Sequence, residues 1–250
     1  MKAAVLLVRL IGYPGTLLYG DTAVFDRWLW LRKNLRGGRV RTLDVGCGSG
    51  AFTLYAAKVG NEAIGISFES RKNEIATERA KLLRLPNARF VTGDIRELRA
   101  KSELGSFDQI ICFETIEHIA NDAQLMQDIS HILRPGGRLL LTTPYRYYHH
   151  LPGDAISDVE DGGHVRWGYS HPEMKQRLSN AGLATVTQEY VTGPLSQCLI
   201  RIQRMLSRAH PLIGWAVVLP LRWVVAFDPF LMRISDYPSL SIAVVGEKVR

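Results

Sequence analysis

The sequence predicts an α/β fold, in which a mostly parallel sheet carries helices on both faces. Two observations predict it. Short apolar runs typical of buried strands alternate with longer segments whose apolar residues recur at helical spacing, as in sheets built from strand–helix–strand units. The first apolar run, residues 40–45, also leads into three glycines at alternate positions, Gly46, Gly48 and Gly50. Such a turn lets the backbone pass close to a ligand, because glycine has no Cβ and tolerates positive φ.

The strands and helices of this fold follow one another from residue 40 onwards. Five strands are predicted at 40–45, 63–67, 88–92, 107–113 and 138–143. Helices are predicted between them at 52–59, 70–83 and 96–100, and a fourth, around 125–133, ends at Pro135-Gly136-Gly137. The strand at 107–113 is an almost unbroken apolar run, as expected of a strand buried on both faces of a parallel sheet.

The C-terminal part departs from this alternation. A helix is predicted at 171–181, a sixth strand at 184–192 and a seventh at 239–245. The segment between the last two strands, 193–238, has about 45 residues and is rich in Leu, Ile, Val, Trp and Arg, which makes it too long for a hairpin loop. The sequence therefore predicts a main domain of residues 39–192 and 239–250 that carries a helical insertion at 193–238.

Residues 1–38 are predicted to form an N-terminal helical segment. Residues 1–18 are apolar, but Arg9 interrupts the run and Tyr13-Pro14-Gly15 offers no signal-peptide cleavage site. An amphipathic helix packed on the domain or on lipid therefore fits better than a signal peptide. Residues 21–36 follow as a helix with an apolar stripe, which ends at Gly37-Gly38.

Composition narrows the class of protein. The chain has 250 residues, of which 46% are hydrophobic and 22% charged, as in a globular protein with a sizeable core. Its cysteines, Cys47, Cys112 and Cys198, are far apart and form no C-x-x-C pair, which indicates a reduced, intracellular protein without a metal cluster. The net charge of +7 favours an anionic partner: a nucleic acid, a membrane surface or an acidic substrate.

The insertion has two interpretations that the sequence leaves open. Its arginines stand among Trp and Leu residues over 196–233, as in a helix that lies in the headgroup region of a membrane. A pair of cap helices packed on the domain, or a dimer interface, fits the same pattern. Its apolar region, 211–227, spans only 17 residues and contains Pro220 and Arg222. A helix that crosses a bilayer needs about 20, so no transmembrane span is predicted.

Five motifs, in order, resemble those of the class I S-adenosylmethionine-dependent methyltransferases. They are Leu43-Asp44-Val45-Gly46-Cys47-Gly48-Ser49-Gly50, then Gly65 to Ser70, Gly93-Asp94-Ile95, Phe107 to His118, and Leu133 to Gly137. The fourth motif is similar to the FD-strand-xExxEH pattern of the small-molecule subset that includes ubiquinone-type O-methyltransferases. The resemblance covers residues 40–145 and the last strand. It implies a seven-stranded Rossmann-like fold and S-adenosylmethionine as cofactor.

The resemblance also implies which residues contact the cofactor. In the first motif they are Asp44, Gly46 and Gly48. The acid Asp44 suits a ligand with an ammonium group. The family's acid for the ribose hydroxyls stands at the end of the second strand, and this chain has Ser67 there and Glu69 two residues later. A carboxylate accepts from both hydroxyls at once, but Glu69 is also explained as an acid in the first turn of a helix.

Three further motif positions complete the predicted cofactor site. Asp94 would accept from the adenine amino group while Ile95 lines the ring, and the alternative is that Asp94 only caps the following helix. The fourth strand would deliver Phe113 and Glu114 to the carboxyl edge of the sheet, beside the cofactor.

His164 and His118 are the candidate catalytic residues. Methyl transfer needs a nucleophile in line with the methyl group, and a base helps if that nucleophile is a hydroxyl. His118 directly follows the fourth strand, and His164 lies in the loop after the fifth, at the ligand-binding side of the sheet. The alternative for His118 is a hydrogen bond that holds a neighbouring loop. A metal site at Glu114, Glu117 and His118, as quinone-type relatives suggest, lacks a distinctive ligand spacing, so no metal is predicted.

The sequence thus predicts an S-adenosylmethionine-dependent methyltransferase that acts on an oxygen of a small or lipid-linked acceptor. A nucleic-acid methyltransferase is the first alternative, but the arginines are dispersed among apolar residues without a separate basic module. A non-catalytic scaffold that retains the fold is the second. The expected location is the cytoplasm, at the inner face of a membrane if the insertion binds lipid, and no nucleic-acid partner is expected.

Overall fold

In the computed structural model, which describes residues 2–18 and 21–249, a seven-stranded sheet is covered by helices on both faces. The strands are β1 (Arg41–Val45), β2 (Glu62–Ser67), β3 (Ala88–Thr92), β4 (Phe107–Phe113), β5 (Leu133–Pro144), β6 (Leu183–Val191) and β7 (Ser241–Lys248). The α-helices are α1 (Lys2–Ile11), α2 (Pro14–Leu18), α3 (Ala23–Asn34), α4 (Ala51–Lys58), α5 (Ser70–Leu82), α6 (Asp122–Ile132), α7 (His171–Asn180), α8 (Pro194–Ser207), α9 (Pro211–Val218) and α10 (Asp228–Ile234). Short 3₁₀ helices occupy Ile95–Ala100, Ser102–Leu104, Ile116–His118 and Leu219–Phe227. The predicted fold class is confirmed.

The strand order, β3-β2-β1-β4-β5-β7-β6, creates one crevice at the edge of the sheet. Strands β1 to β5 run parallel, whereas β7 is antiparallel to both β5 and β6. The chain order reverses between β1 and β4. In open α/β sheets ligands bind at such a point, outside the carboxyl ends of the strands. The glycine turn after β1 and the residues after β4 both lie there.

Two apolar layers, one on each face of the sheet, make up the core. Leu43, Ile110 and Leu139 belong to the layer shared with α6 and α7. Ile111 and Leu140 belong to the layer shared with α3 and α4. Because successive residues of a strand point to opposite faces, β4 and β5 bury both their faces, which explains their nearly continuous apolar sequence.

The structure corrects the predicted boundary before the fifth strand. The turn Pro135-Gly136-Gly137 lies inside β5 rather than before it. Leu133 pairs with Phe107, whereas Arg138 pairs with Gln109, so the residues between them form a bulge in the ladder. Gly136 has a φ of +73° in this bulge, which glycine adopts without steric penalty.

The insertion is helical, and it packs on the N-terminal helices. The Trp215 Nε1 donates a hydrogen bond to the Leu18 carbonyl oxygen at 2.8 Å. Arg222 Nη1 donates to the carbonyl oxygen of Leu17 at 3.0 Å. Both bonds join the insertion to the end of α2. Residues 1–38 and 193–238 are therefore in contact, and their division into separate units stays a prediction.

The predicted length of the apolar region in the insertion was wrong. Leu212–Ile234 is a helical stretch of 23 residues with a mean hydropathy of 1.5, long and apolar enough to cross a membrane by length and composition alone. The apolar region predicted from the sequence ends at Phe227. The three short helices follow one another directly, and each has a proline in its first turn, where proline is tolerated.

Candidate active site

The glycine turn after β1 is where the sequence predicts the cofactor. Gly46, Gly48 and Gly50 have φ values of +78°, +51° and +82°. A Cβ at Gly46 would lie 2.3 Å from Thr115 Oγ1, and one at Gly50 would lie 2.7 Å from the Phe90 ring, so packing excludes a side chain at both. A Cβ at Gly48 would have no described atom within 4 Å. Gly48 therefore borders open space that a ligand can occupy.

Asp44 is buried beneath this turn, with 2% of its surface exposed. Its Oδ2 accepts a hydrogen bond from Thr53 Oγ1 of α4 at 2.6 Å. Burial raises the pKa of the Asp44 carboxyl to about 7, although the hydrogen bonds from Thr53 oppose the shift. The carboxyl joins β1 to α4, and its predicted contact with the cofactor stays a prediction.

The two candidate ribose residues lie at the carboxyl end of β2. Ser67 is buried, and its Oγ accepts a hydrogen bond from the Glu69 main-chain nitrogen at 3.3 Å. The Glu69 carboxylate is partly exposed and pairs with Lys72 Nζ at 2.5 Å. Phe68 lies between them and is 67% exposed, and it was not among the predicted site residues. Its signal is a large apolar residue in a loop at the ligand-binding edge.

If the Glu69 carboxylate binds the ribose hydroxyls, Glu69→Ala should weaken binding of S-adenosylhomocysteine by about 1–3 kcal/mol, because a hydrogen bond to a charged group disappears. Calorimetric titration measures the effect. Lys72→Ala is the matched control, since it removes the partner of Glu69 and leaves the carboxylate in place. Ser67→Asp should be tolerated or tighten binding. Unchanged affinity in Glu69→Ala would assign the ribose contact to Ser67 or to the backbone.

Asp94 and Ile95 follow β3. The Asp94 side chain caps the 3₁₀ helix by accepting from the Arg96 main-chain nitrogen at 2.9 Å, which is the alternative role considered above. The Arg96 guanidinium also binds both carboxylate oxygens, and these bonds lower the pKa of Asp94. Ile95 is largely buried in the core. The adenine contacts of both residues stay predictions.

The residues at the end of β4 face α3. The Phe113 ring lies 4.8 Å from Phe52 and 5.8 Å from Trp30, measured between ring centroids. Glu114 has a φ of +46°, an uncommon conformation for a non-glycine residue that often marks functional sites. Its Oε2 pairs with Arg27 at 3.0 Å, and its buried Oε1 has no hydrogen-bond partner in the described part of the chain. Arg27 could not be predicted as a site residue, because in the sequence it is one arginine among others in an amphipathic helix.

The two candidate histidines are neighbours. Their ring centroids are 4.8 Å apart, and the rings meet edge to face. His118 Nδ1 donates to the Gly163 carbonyl oxygen at 2.9 Å, so His118 holds the loop that carries His164. Burial lowers the pKa of His164, and the neighbouring His118 lowers it further. The lowered pKa favours the neutral form of His164.

Glu117 lies behind this pair and is fully buried. Its Oε2 accepts a hydrogen bond from Thr143 Oγ1 at 3.1 Å, and its Oε1 lies 3.8 Å from His118 Nε2. Burial and the nearby Glu114 raise its pKa. Atoms of Glu117, His118 and His164 lie within 4.8 Å of one another, so these are residues that could hold a metal ion. The absence of a metal from the reaction stays a prediction.

The loop after β5 borders a cavity of about 520 Å³ beside His164. The lining includes polar side chains from the loop and from α8, namely Asp154, Ser157, Asp161, His164 and Arg204. Arg204 Nη1 and Asp154 Oδ1 are 2.6 Å apart, and Tyr148 donates to Asp154 Oδ2 at 2.6 Å. The cavity is large enough for a small ligand.

The sequence model of a protein family described as a methyltransferase domain matches residues 37–184, which is more than half of the chain. The chain belongs to this methyltransferase family. It is 34% identical over 117 residues to a ubiquinone biosynthesis O-methyltransferase of Xanthomonas oryzae pv. oryzae, which is 45% of this chain and 45% of that protein. The chain thus spans less than half the length of the first curated relatives it matches.

Solved structures share the fold at low sequence identity. The [4+2]-cyclase SpnF has a TM-score of 0.61 and 17% identity, with 99% of this chain and 94% of that chain covered. Phosphoethanolamine N-methyltransferase 2 of Haemonchus contortus, in complex with S-adenosyl-L-methionine, has a TM-score of 0.62 and 16% identity. The match covers 100% of this chain and 60% of that chain. At these identities the likeness shows the fold alone.

S-adenosylmethionine is the cofactor of this family, and two features of the structure fit it. The glycine turn leaves open space at Gly48, which a Cβ would fill. The buried Glu114 Oε1 offers an acceptor to a polar ligand. Both lie at the crevice between β1 and β4. The resemblance seen in the sequence is therefore confirmed at the level of family and cofactor, while the individual contacts stay predictions.

Proposed function

We propose that this protein transfers the methyl group of S-adenosylmethionine to an oxygen atom of a small or lipid-linked acceptor. The observation that carries the proposal is a half-buried His164 beside His118, next to a cavity large enough for an acceptor, and burial lowers the pKa of His164. A neutral imidazole can accept the proton of a hydroxyl group. The curated relative's name supports oxygen as the methylated atom.

In this proposal His164 is the base. The cofactor supplies a methyl group on a sulfonium, which becomes a neutral thioether when the carbon–sulfur bond breaks. His164 removes the proton of the acceptor hydroxyl as the oxygen–carbon bond forms. His118 acts as a positioning residue, because its hydrogen bond to Gly163 fixes the residue next to His164 in the chain.

We expect kcat at saturating cofactor to rise as the pH increases through a pKa below 6.5 and then to stay level. kcat rises with pH because the base is inactive when it is protonated. The rise lies below pH 6.5 because the pKa of His164 is lowered, so its proton leaves at a lower pH than usual. Saturating cofactor matters because Asp44, with a pKa of about 7, would act on cofactor affinity instead. An acid limb above pH 6.5 in kcat would contradict His164 as the base.

We also propose that residues 196–233 make a peripheral contact with the inner face of a membrane from the cytoplasm. Exposed apolar side chains support this contact, but two of the arginines do not. Arg201 Nη2 donates to the His149 carbonyl oxygen at 3.1 Å, and Arg204 binds Asp154. Both arginines hold the loop after β5, so attraction to anionic lipid would come from other cations.

We further propose that residues 39–192 and 239–250 form the methyltransferase domain, with 1–38 and 193–238 as appended helical segments. The contacts of Trp215 and Arg222 with α2 support treating the two appended segments together.

Calorimetry with S-adenosylmethionine, S-adenosylhomocysteine and NAD tests the cofactor, and transfer of a labelled methyl group tests the acceptor class. Catechol, a membrane lipid extract and transfer RNA serve as acceptors. We expect binding of the first two ligands and label in catechol or lipid. Label in transfer RNA alone would favour the nucleic-acid alternative. Cofactor binding without transfer to any acceptor would favour the scaffold.

A further inference from the structure

The stretch Leu212–Ile234 has two very different sides. Only 22% of its most apolar 18-residue segment is buried inside the protein. Prolines at 211, 220 and 229 begin the three consecutive helices at intervals of nine residues. The stretch is therefore a chain of short helices that follows the surface of the protein.

Polar groups fix the inner side to the rest of the protein. Trp215 and Arg222 bind carbonyl oxygens of α2, and Arg222 is 3% exposed. Asp228, also 3% exposed, accepts hydrogen bonds from the main-chain nitrogens of Leu195 and Ser196 at 2.8 and 2.9 Å. An orientation that crossed a bilayer would break these bonds and move an arginine and an aspartate into hydrocarbon, at a large cost in free energy.

The outer side is apolar throughout. Between 212 and 230 every residue classed as exposed is Leu, Ile, Val, Ala, Pro, Trp or Phe. The large side chains of the outer side are 41–67% exposed, and they are Leu212, Ile213, Val217, Leu221, Trp223, Phe227, Phe230 and Ile234. A soluble monomer rarely exposes so many apolar side chains together. We call this set the outer apolar face.

We propose that the outer apolar face is a membrane anchor that inserts into the interfacial layer of a lipid bilayer and lies in its plane without crossing it. The inference deepens the proposed function and rests on its lipid-linked acceptor. Trp and Phe side chains suit the boundary between headgroups and acyl chains. Arg208 and Arg233, both exposed, flank the face and can pair with anionic headgroups, and Asp236 is the exposed acid beyond them.

The chemistry of the face favours lipid over a protein partner. A stable protein–protein interface of ordinary size carries about ten hydrogen bonds and a polar rim. Among the exposed residues between 212 and 230, only the Trp223 indole nitrogen offers a polar side-chain group. Acyl chains need no hydrogen bonds, so a bilayer covers this face without leaving polar groups of a partner unsatisfied.

Sedimentation with vesicles of phosphatidylcholine and phosphatidylglycerol, in the absence of cofactor and acceptor, tests the anchor. We expect the full chain to bind, and high salt to weaken the binding only partly, because salt screens charge but not apolar burial. The triple variant Trp223→Ser, Phe227→Ser, Phe230→Ser should bind at least about tenfold more weakly. Arg208→Gln with Arg233→Gln should remove the salt-sensitive part.

Val159→Ser with Val186→Ser is the matched control, since both valines are exposed but lie outside the face. This control should bind vesicles like the wild type. Alkaline carbonate should release the bound protein, and retention in the membrane pellet would instead indicate a spanning helix. A wild type that ignores vesicles but forms a dimer that the triple variant loses would assign the face to a second copy of the chain. Either result overturns the proposal.

The failure of the anchor can be told from the failure of the proposed function. If the wild type binds S-adenosylhomocysteine and methylates catechol but not vesicle-borne lipid, and does not sediment with vesicles, only the anchor is wrong. If it sediments with vesicles but neither binds the cofactor nor transfers methyl groups, only the proposed function is wrong.

Discussion

Replacing Gly46 by valine is expected to abolish measurable binding of S-adenosylhomocysteine and to lower the melting temperature by roughly 5 °C or more. The Cβ would lie 2.3 Å from Oγ1 and 2.8 Å from Cγ2 of Thr115. Thr115 is held in place because its Oγ1 donates to the Phe113 carbonyl oxygen at 3.0 Å. Overpacking and the φ of +78° each cost about 1–3 kcal/mol. Relief of the clash would move apart the loops after β1 and β4, which border the predicted cofactor site.

Substitutions at two other glycines separate the effect of backbone strain from the effect of the steric clash. Gly12 has a φ of +68°, and a Cβ there would have no described atom within 4 Å. Gly12→Val therefore carries backbone strain without a clash, and we expect it to keep cofactor binding. Gly48→Val should fold, because a Cβ there meets no described atom within 4 Å. It should lose binding, because the valine side chain would fill the space predicted for the cofactor. Unchanged affinity in Gly46→Val would remove the glycine turn from the cofactor site.

His164→Ala is expected to lower kcat by about 10²–10⁴-fold, the usual contribution of a general base. The dissociation constant of S-adenosylhomocysteine should not change, since in the proposal His164 contacts the acceptor hydroxyl and not the cofactor. Initial rates with the best acceptor and calorimetry measure the two quantities. Addition of a chelator should leave the rate of the wild type unchanged, because no metal takes part in the proposed reaction.

His131 and His118 provide the controls for this prediction. His131 is exposed at the end of α6, and His131→Ala should change neither kcat nor the dissociation constant of S-adenosylhomocysteine. His118→Ala should lower kcat less than His164→Ala. His118→Asn should recover part of the loss, because an amide can still donate to Gly163. If His118→Ala costs as much as His164→Ala and His118→Asn recovers nothing, His118 is the base and the two roles are reversed.

The sequence by itself determined the fold, the family and the cofactor. The fold follows from local patterns: buried parallel strands are continuously apolar, crossover helices keep a helical period, and the turn at Gly46 to Gly50 needs residues without a Cβ. The family and the cofactor follow from the resemblance of five ordered motifs. Such signals lie within a few neighbouring residues, so they can be read without knowing which distant segments meet. The seven strands and their mostly parallel arrangement were predictable for this reason.

Only the tertiary structure decided which distant side chains share a contact. Thr115, and not only a ligand, excludes a side chain at Gly46, and Arg27 of α3 reaches Glu114 after β4. His118 meets Gly163, more than forty residues away in the chain. Arg201 and Arg204 bind the loop after β5. A residue's type says what it can bind, but its partner depends on the packing of the whole chain, which local patterns do not contain.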